Sequence, residues 1–186
     1  ASTAENSSPE LAVNEDCRSW WSAASAEPGQ WLCVDLGKDS DVRAIQVNMA
    51  DEKLVVDFPA DSYGDDRETR HIETRPQISH YTVETSVNGA DWTTHETVAR
   101  ECSNGYYEYA DGIRARYVRV TGGELPYGQA LRISGLRVFG NGEGPKPAQA
   151  EAAGARVDAL DAKITWKHIE NAQGCNVRYG VAPDKL

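Results

Sequence analysis

Three tryptophans, Trp20, Trp21 and Trp31, fall within twelve residues of the stretch "SWWSAASAEPGQWLCVDLG", Ser19 to Gly37. Indole rings fill cores; exposed, they offer a flat face for the C–H surface of a pyranose, while nearby Arg, Asn, Asp or Glu reach its hydroxyls. Three rings this close are a platform, a core, or one of each. Catalytic chemistry has less to draw on. There is no HExxH, no GxSxG and no glycine-rich strand-to-helix loop, and the many acids form no recognisable catalytic pair. His71, His80, His95 and His168 stand singly, as surface or packed histidines do. This segment is therefore expected to be non-catalytic. Cys17, Cys33, Cys102 and Cys175 are widely spaced without a CxxC pair, which disfavours a zinc site. A chain of this size does not need a disulfide. Buried or half-buried free thiols are the expectation.

The elements that must position such residues read as β throughout. Short alternating runs recur in "QWLCVDLG", "VRAIQVNMA", "HYTVETSVNGADW", "ARYVRVTG" and "LRISGLRVFG", each closed by turn residues. Leu32, Val34 and Leu36 fall on one face of their run, with Trp31, Cys33 and Asp35 on the other; Tyr81, Val83 and Thr85 alternate in the same way. Asn88–Gly89 is a strong hairpin signal. No stretch of a dozen residues carries a helical stripe, so the expected class is all-β, a sandwich or jelly roll. Residues 51–79 interrupt the strands with eight acidic and four basic residues, a length that in compact domains points to function or disorder. Residues 140–155, "GNGEGPKPAQAEAAGA", read as a hinge-like linker. Beyond it, "AKITWKHI" and "CNVRYGV" read as two strands around a turn at 171–174. The expected division is 1–142, a linker at 143–150, and a second unit at 151–186 that is too short to close a sandwich alone.

Charge narrows the partners. The 186 residues carry 19 basic and 29 acidic side chains, a formal net charge of −10, and Lys and Arg form no patch. Nucleic acid and anionic membrane both demand neutralisation of phosphate, so neither is expected. No apolar run approaches the roughly 20 residues that span a bilayer. The chain opens on Ala1 and its single methionine is Met49, so it is expected to be part of a longer polypeptide whose targeting signal lies outside it.

The five strand motifs in this order, headed by "SWWSA…PGQWLCVDLG", resemble the discoidin family, the coagulation factor V/VIII type C domains, which includes many family 32 carbohydrate-binding modules. The resemblance covers about residues 1–142 and implies a discoidin-like jelly-roll β-sandwich. The segment "ITWKHI…GCNVRYGVAPDKL" resembles the first half of a fibronectin type III domain, a partial immunoglobulin-like β unit. The tandem is similar to C-terminal accessory regions of bacterial family 43 glycoside hydrolases. This implies a carbohydrate-binding module exported outside the cell or to the periplasm, with a glycan and a parent catalytic domain in cis as partners. The rival reading is a scaffold or spacer that packs on its parent through the 51–79 loop and binds no glycan. An adhesion role through apolar loop tips is disfavoured, since only Leu54–Phe58, "LVVDF", offers a match.

The resemblance also distributes the tryptophans. Trp21 matches the residue that discoidin domains bury beneath the first loops, alternation then turns Trp20 outward, and Trp31 is expected to be structural. Modules of family 32 bind sugar on loops at one end of the sandwich, often with an aromatic in the loop before the last strand. That loop, "GGELPYGQA", offers Glu124 and Tyr127; the 51–79 loop offers Tyr63, Arg67, Arg70 and His71. Together with Trp20 these are the candidate glycan contacts. Calcium, the usual structural ion of the family, would take Leu11 (carbonyl), Asn14, Asp16 and Ser19. Asn14 stands where an aspartate is usual and Gly135 where a glutamate is expected, so the implied calcium site is weak. Arg116 and Arg119 are expected in structural ion pairs, for instance with Asp35.

Overall fold

The computed structural model describes residues 3–51, 76–102, 104–142, 150–157, 161–170 and 177. The chain divides into two units, 1–143 and 144–186. The first contains β1 (Trp21–Ser22), β2 (Trp31–Met49), β3 (Ser79–Ser86), β4 (Thr93–Arg100), β5 (Gly105–Gly122) and β6 (Arg132–Asn141), with 3-10 turns at Pro9–Ala12 and Pro126–Gly128. Hydrogen bonds order these strands β1-β6-β2-β5-β3-β4, every described pair antiparallel.

Two strands are far longer than the usual five or six residues, and each changes partner along its length. The first part of β2, Trp31 to Asp35, pairs with Tyr117–Thr121 of β5, which continues to β3 and β4. The last part of β2 pairs with the start of β5 on one side and with β6, then β1, on the other. Register breaks between Asp35 and Ser40 and between Val42 and Ala44 separate the halves. Gly37 and Gly112 take positive φ at these breaks, +79° and +76°, a conformation that only glycine adopts freely. The ladder thereby folds into the two layers of a β-sandwich. Trp21, Leu32, Ile45, Val47, Tyr81, Val83, Val118, Val120, Ile133 and Leu136 fill one core between them.

The alternation read from sequence is what the core uses: Leu32, Tyr81, Val83 and Thr85 are buried, while Trp31 and Asp35 face out. Trp31 is 41% exposed. The expectation of a structural role for it is corrected, because period-two geometry sets its face and the adjoining Leu32 takes the core. The β3–β4 hairpin turns through Asn88–Gly89. Asn88 Oδ1 accepts the Ala90 and Asp91 amides at 2.9 Å, and Gly89 has φ +75°. Arg116 pairs with Asp35 through two bonds of 2.8 and 2.9 Å, as expected. Arg119 binds Glu84 by the same fork, at 2.8 and 3.1 Å, and lies 3.8 Å over the Trp92 ring. Cys17 and Cys102 are exposed free thiols and Cys33 is half-buried, so the expectation of burial holds only for Cys33; Cys175 lies outside the described residues.

In the second unit, β7 (Ala152–Val157) pairs antiparallel with β8 (Ala162–Trp166). The strand at "AKITW" is where the pattern put it, but its described partner lies upstream, overlapping the end of the 140–155 hinge-like stretch and past the 143–150 linker bounds. Alanine and glycine carry little strand preference of their own, so the pairing with β8 accounts for this strand. The proposed partner "CNVRYGV" lies outside the described residues apart from Val177. Among the described residues no helix is long and apolar enough to cross a membrane.

Candidate functional site

The short β1 strand decides where the rings go. Trp21 pairs with Ile133 and Ser22 with Arg132. Trp21 and Ile133 are buried at 1% and 0% exposure, so the alternate positions, Trp20, Ser22 and Arg132, fall on the opposite face. The Trp21 indole Nε1–H donates to Thr3 Oγ1 at 3.1 Å, which satisfies its polar edge in the core. The N-terminal segment is tied alongside: the Ala4 amide donates to the Ser22 carbonyl at 3.0 Å, and the Ser22 amide to Ser7 Oγ at 2.8 Å.

Opposite this segment lies the loop before β6. The Gln129 amide donates to the Pro126 carbonyl at 3.3 Å, and Tyr127 (φ 58°, ψ 23°) and Gly128 (φ 62°) both take left-handed backbone. This is a type I′ geometry, which glycine, asparagine and aspartate favour and a bulky aromatic enters at a cost. Tyr127 is held at the turn tip in spite of that cost.

Between the two walls is a cleft of about 890 Å³ whose lining includes Trp20, Tyr127, Arg18, Arg132, Gln129 and Glu5, together with Leu11 and small residues of both walls. Trp20 and Tyr127, both half-buried, thus share one concavity. The Arg18 guanidinium is engaged by Asp16 at 2.9 and 3.1 Å. Gln129 Nε2 donates to Asp51 Oδ1 at 3.1 Å while its Oε1 accepts from Arg132 Nη1 at 3.4 Å; Arg132 Nε is buried without a partner. Two rings beside amide, hydroxyl and guanidinium groups can stack on a sugar and bond its substituents.

Of the expected contacts, Trp20 and Tyr127 come together in this cleft. Glu124 does not line it: it is exposed, and its backbone carbonyl accepts the His80 amide at 2.9 Å. The chain is held to β3 there before the turn begins. Tyr63, Arg67, Arg70 and His71 lie outside the described residues. Arg132, Gln129, Arg18 and Glu5 were not singled out from sequence. For Arg132 a signal existed: it sits between core positions Leu131 and Ile133, on the outward phase of the last strand.

The residues implied for calcium bond one another and their neighbours in this structure. Asn14 Nδ2 donates to Ser19 Oγ at 2.8 Å, Asn14 Oδ1 accepts the Asp16 amide at 3.0 Å, and Ser19 Oγ donates to the Asp16 carbonyl at 3.0 Å. The carboxylate of Asp16 is taken by Arg18, whose hydrogen bonds hold it below the usual Asp range. Over Gly135, the Asn48 amide stands 3.0 Å from where a side chain would begin. Leu11 is half-buried and lines the cleft. The loop is instead tied to the last strand by Glu15, whose Oε2 accepts from Arg137 Nε at 2.7 Å.

Residues 11–120, more than half of the chain, match the family model described as "NedA-like, galactose-binding domain". No curated protein matches the sequence. Among solved structures, the chain is similar to a family 32 module, CBM32-1, of a family 31 glycoside hydrolase from Clostridium perfringens, at 11% identity and TM-score 0.55, covering 74% of this chain and 88% of that one. It is similar to chitosan-binding module 1 of a chitosanase/glucanase from Paenibacillus sp. IK-5, at 18% identity and TM-score 0.56, covering 75% and 91%. It also resembles the family 32 module of C. perfringens NanJ in complex with galactose, at 17% identity and TM-score 0.53, covering 74% and 88%. At these identities the likeness establishes the discoidin-like fold.

Proposed function

The chain belongs to the NedA-like, galactose-binding domain family, and from that premise we propose that its first unit is a non-catalytic carbohydrate-binding module whose site is the Trp20–Tyr127 cleft. The observation that carries the proposal is the convergence of these two rings, distant in sequence, on one concavity that Arg132 and Gln129 also line. The module serves a secreted bacterial polysaccharide-degrading enzyme and holds that enzyme's catalytic domain, joined in cis, on its glycan. An exported location follows from that role. The modules it resembles, one named for chitosan and one bound to galactose, support a sugar as the ligand class. The second unit is read as part of a fibronectin type III domain, which would act as a spacer in the rival scaffold reading. Binding through so open a cleft is weak, since little surface is buried.

A glycan array or affinity gel run with the protein beside Trp20→Ala and Tyr127→Ala tests this. A specific signal, lost in either variant while the melting curve stays cooperative, is the expected result. Silence across plant cell-wall and host galactose-type glycans from the folded protein would remove the reading and leave the scaffold role.

A further inference from the structure

Among the described residues, one guanidinium that lines the cleft, that of Arg132, is paired with no carboxylate. Of the cleft's charged residues, Arg18 spends its fork on Asp16. Among the described residues Arg132 forms no ion pair, whereas Arg18, Arg43, Arg114, Arg116, Arg119 and Arg137 each hold a carboxylate. The hydrogen bond of Arg132 to Gln129 is long, at 3.4 Å, and its Nε is buried with no partner. Gln129 stands between a carboxylate and this cation in the hydrogen-bond chain: its Nε2 donates to Asp51 Oδ1 and its Oε1 accepts from Arg132 Nη1. Nε is enclosed, so the terminal nitrogens are the groups a ligand could complete, and a half-buried cation is costly until its donors are satisfied.

Resting on the reading of the cleft as a glycan site, we propose that its ligand is an acidic sugar, and that Arg132 binds the anionic substituent while Trp20 and Tyr127 pack on the ring. A guanidinium presents parallel N–H donors that match a carboxylate bidentately and serve a sulfate ester as well. Uronates and sulfated sugars therefore share the chemistry. The formal charge of −10 does not oppose this at contact range, because charges beyond about 8 Å are largely screened at physiological ionic strength. Glu5 also lines the cleft, so a ligand with a second negative group would meet a like charge there.

The test compares matched polymers on the intact protein: polygalacturonate and polymannuronate against their carboxyl-reduced forms, and a sulfated galactan against its desulfated form. Retention of an acidic polymer, lost on removal of the acid group and weakened by added NaCl, is the expected result. The carboxylate and sulfate arms identify which anion is read. Arg132→Gln should weaken that binding about ten- to a hundredfold, the scale of a charge-assisted hydrogen bond, with Arg132→Lys between. The polymer comparison needs no variant, so a folding defect in Arg132→Gln leaves it decisive. Equal binding of acidic and neutral forms, or binding of a neutral glycan alone, with either lost in Trp20→Ala, keeps the cleft reading and overturns this inference. Silence on every glycan overturns both.

Discussion

Replacing Tyr127 by alanine and by glycine separates what its ring does from what its backbone costs. Its φ of 58° and ψ of 23° place a bulky side chain in left-handed backbone, at a penalty of about 1–2 kcal/mol for a residue with a Cβ. Both substitutions remove the ring. With roughly half of an aromatic's surface buried, that loss is about 2 kcal/mol as an upper figure. Alanine keeps the backbone penalty, whereas glycine escapes it but gives back about 0.4–1 kcal/mol through a freer unfolded chain. Tyr127→Gly should therefore be the more stable of the two by about 0.5–1 kcal/mol, or about 1–4 °C in melting temperature for a chain of this length. Nothing lies within 4 Å of a Cβ at Gly128, so the turn has room to keep its shape. Thermal melts of both variants read the difference, and glycan affinity should fall in both. An alanine variant as stable as the glycine variant, or more so, would refute the left-handed turn. The account of Tyr127 as a ring held out at the expense of local strain would fall with it.

Trp21→Ala should cost about 3–5 kcal/mol in urea denaturation, and Trp20→Ala far less, because only Trp21 is fully enclosed; equal costs would contradict the division of labour between the pair. Hydrogen bonds from Arg119, aided by the Thr121 hydroxyl, hold the Glu84 carboxyl below the usual Glu range. Its contribution to stability is thus complete above the ordinary Glu pKa and is lost as pH falls through the lowered one. Glu84→Gln should abolish that slope and cost about 1–3 kcal/mol at neutral pH, measured by chemical denaturation from pH 3 to 7. Calcium and chelator should leave the melting temperature unchanged, while Arg137→Ala should make the first loop a site of limited proteolysis; a calcium-dependent rise of several degrees would show that the loop rearranges to take the ion. Cys17 and Cys102 should alkylate rapidly and Cys33 slowly, since burial pushes the Cys33 thiol up; peptide mapping after a timed pulse of iodoacetamide reads the order.

Local pattern carried most of the first unit. Alternation put Leu32, Tyr81 and Val83 in the core, and it also turned Trp31 outward, against the expectation that a tryptophan opening a core strand is structural. What stayed hidden depends on pairing between distant segments. The strand at 152–157 is Ala- and Gly-rich and has no signal of its own; it exists through Trp166, Thr165 and Ile164 across the ladder. The cleft needed the register of Trp21 against Ile133 and the docking of residues 3–7 along Ser22. Neither follows from local spacing. Calcium illustrates the reverse case. The losses at Asn14 and Gly135 were legible as letters, but the ion pair between Glu15 and Arg137 that spans the same two elements was not.

The pair of tryptophans also explains why the site can be both open and well placed. Two groups in the cleft, one aromatic and one cationic, adjoin residues that the core holds: Trp20 precedes Trp21, and Arg132 lies between Leu131 and Ile133. Because side chains alternate along a strand, burying one member of such a pair displays the other. Trp21 is thus a positioning residue as much as a core residue: its enclosure beneath the first loops fixes the phase that sends Trp20 to the cleft. The same logic makes the arrangement intolerant of slippage. A one-residue shift of β1 against β6 would turn Trp20 into the core and Trp21 outward, and would carry Arg132 from opposite Ser22 to opposite Trp21 or Ala23. The short amide ladder from Ala4 through Ser22 and from Ala23 to Leu131 holds that register. Two residues of strand suffice because the core on one side and the N-terminal segment on the other leave no second way to seat them.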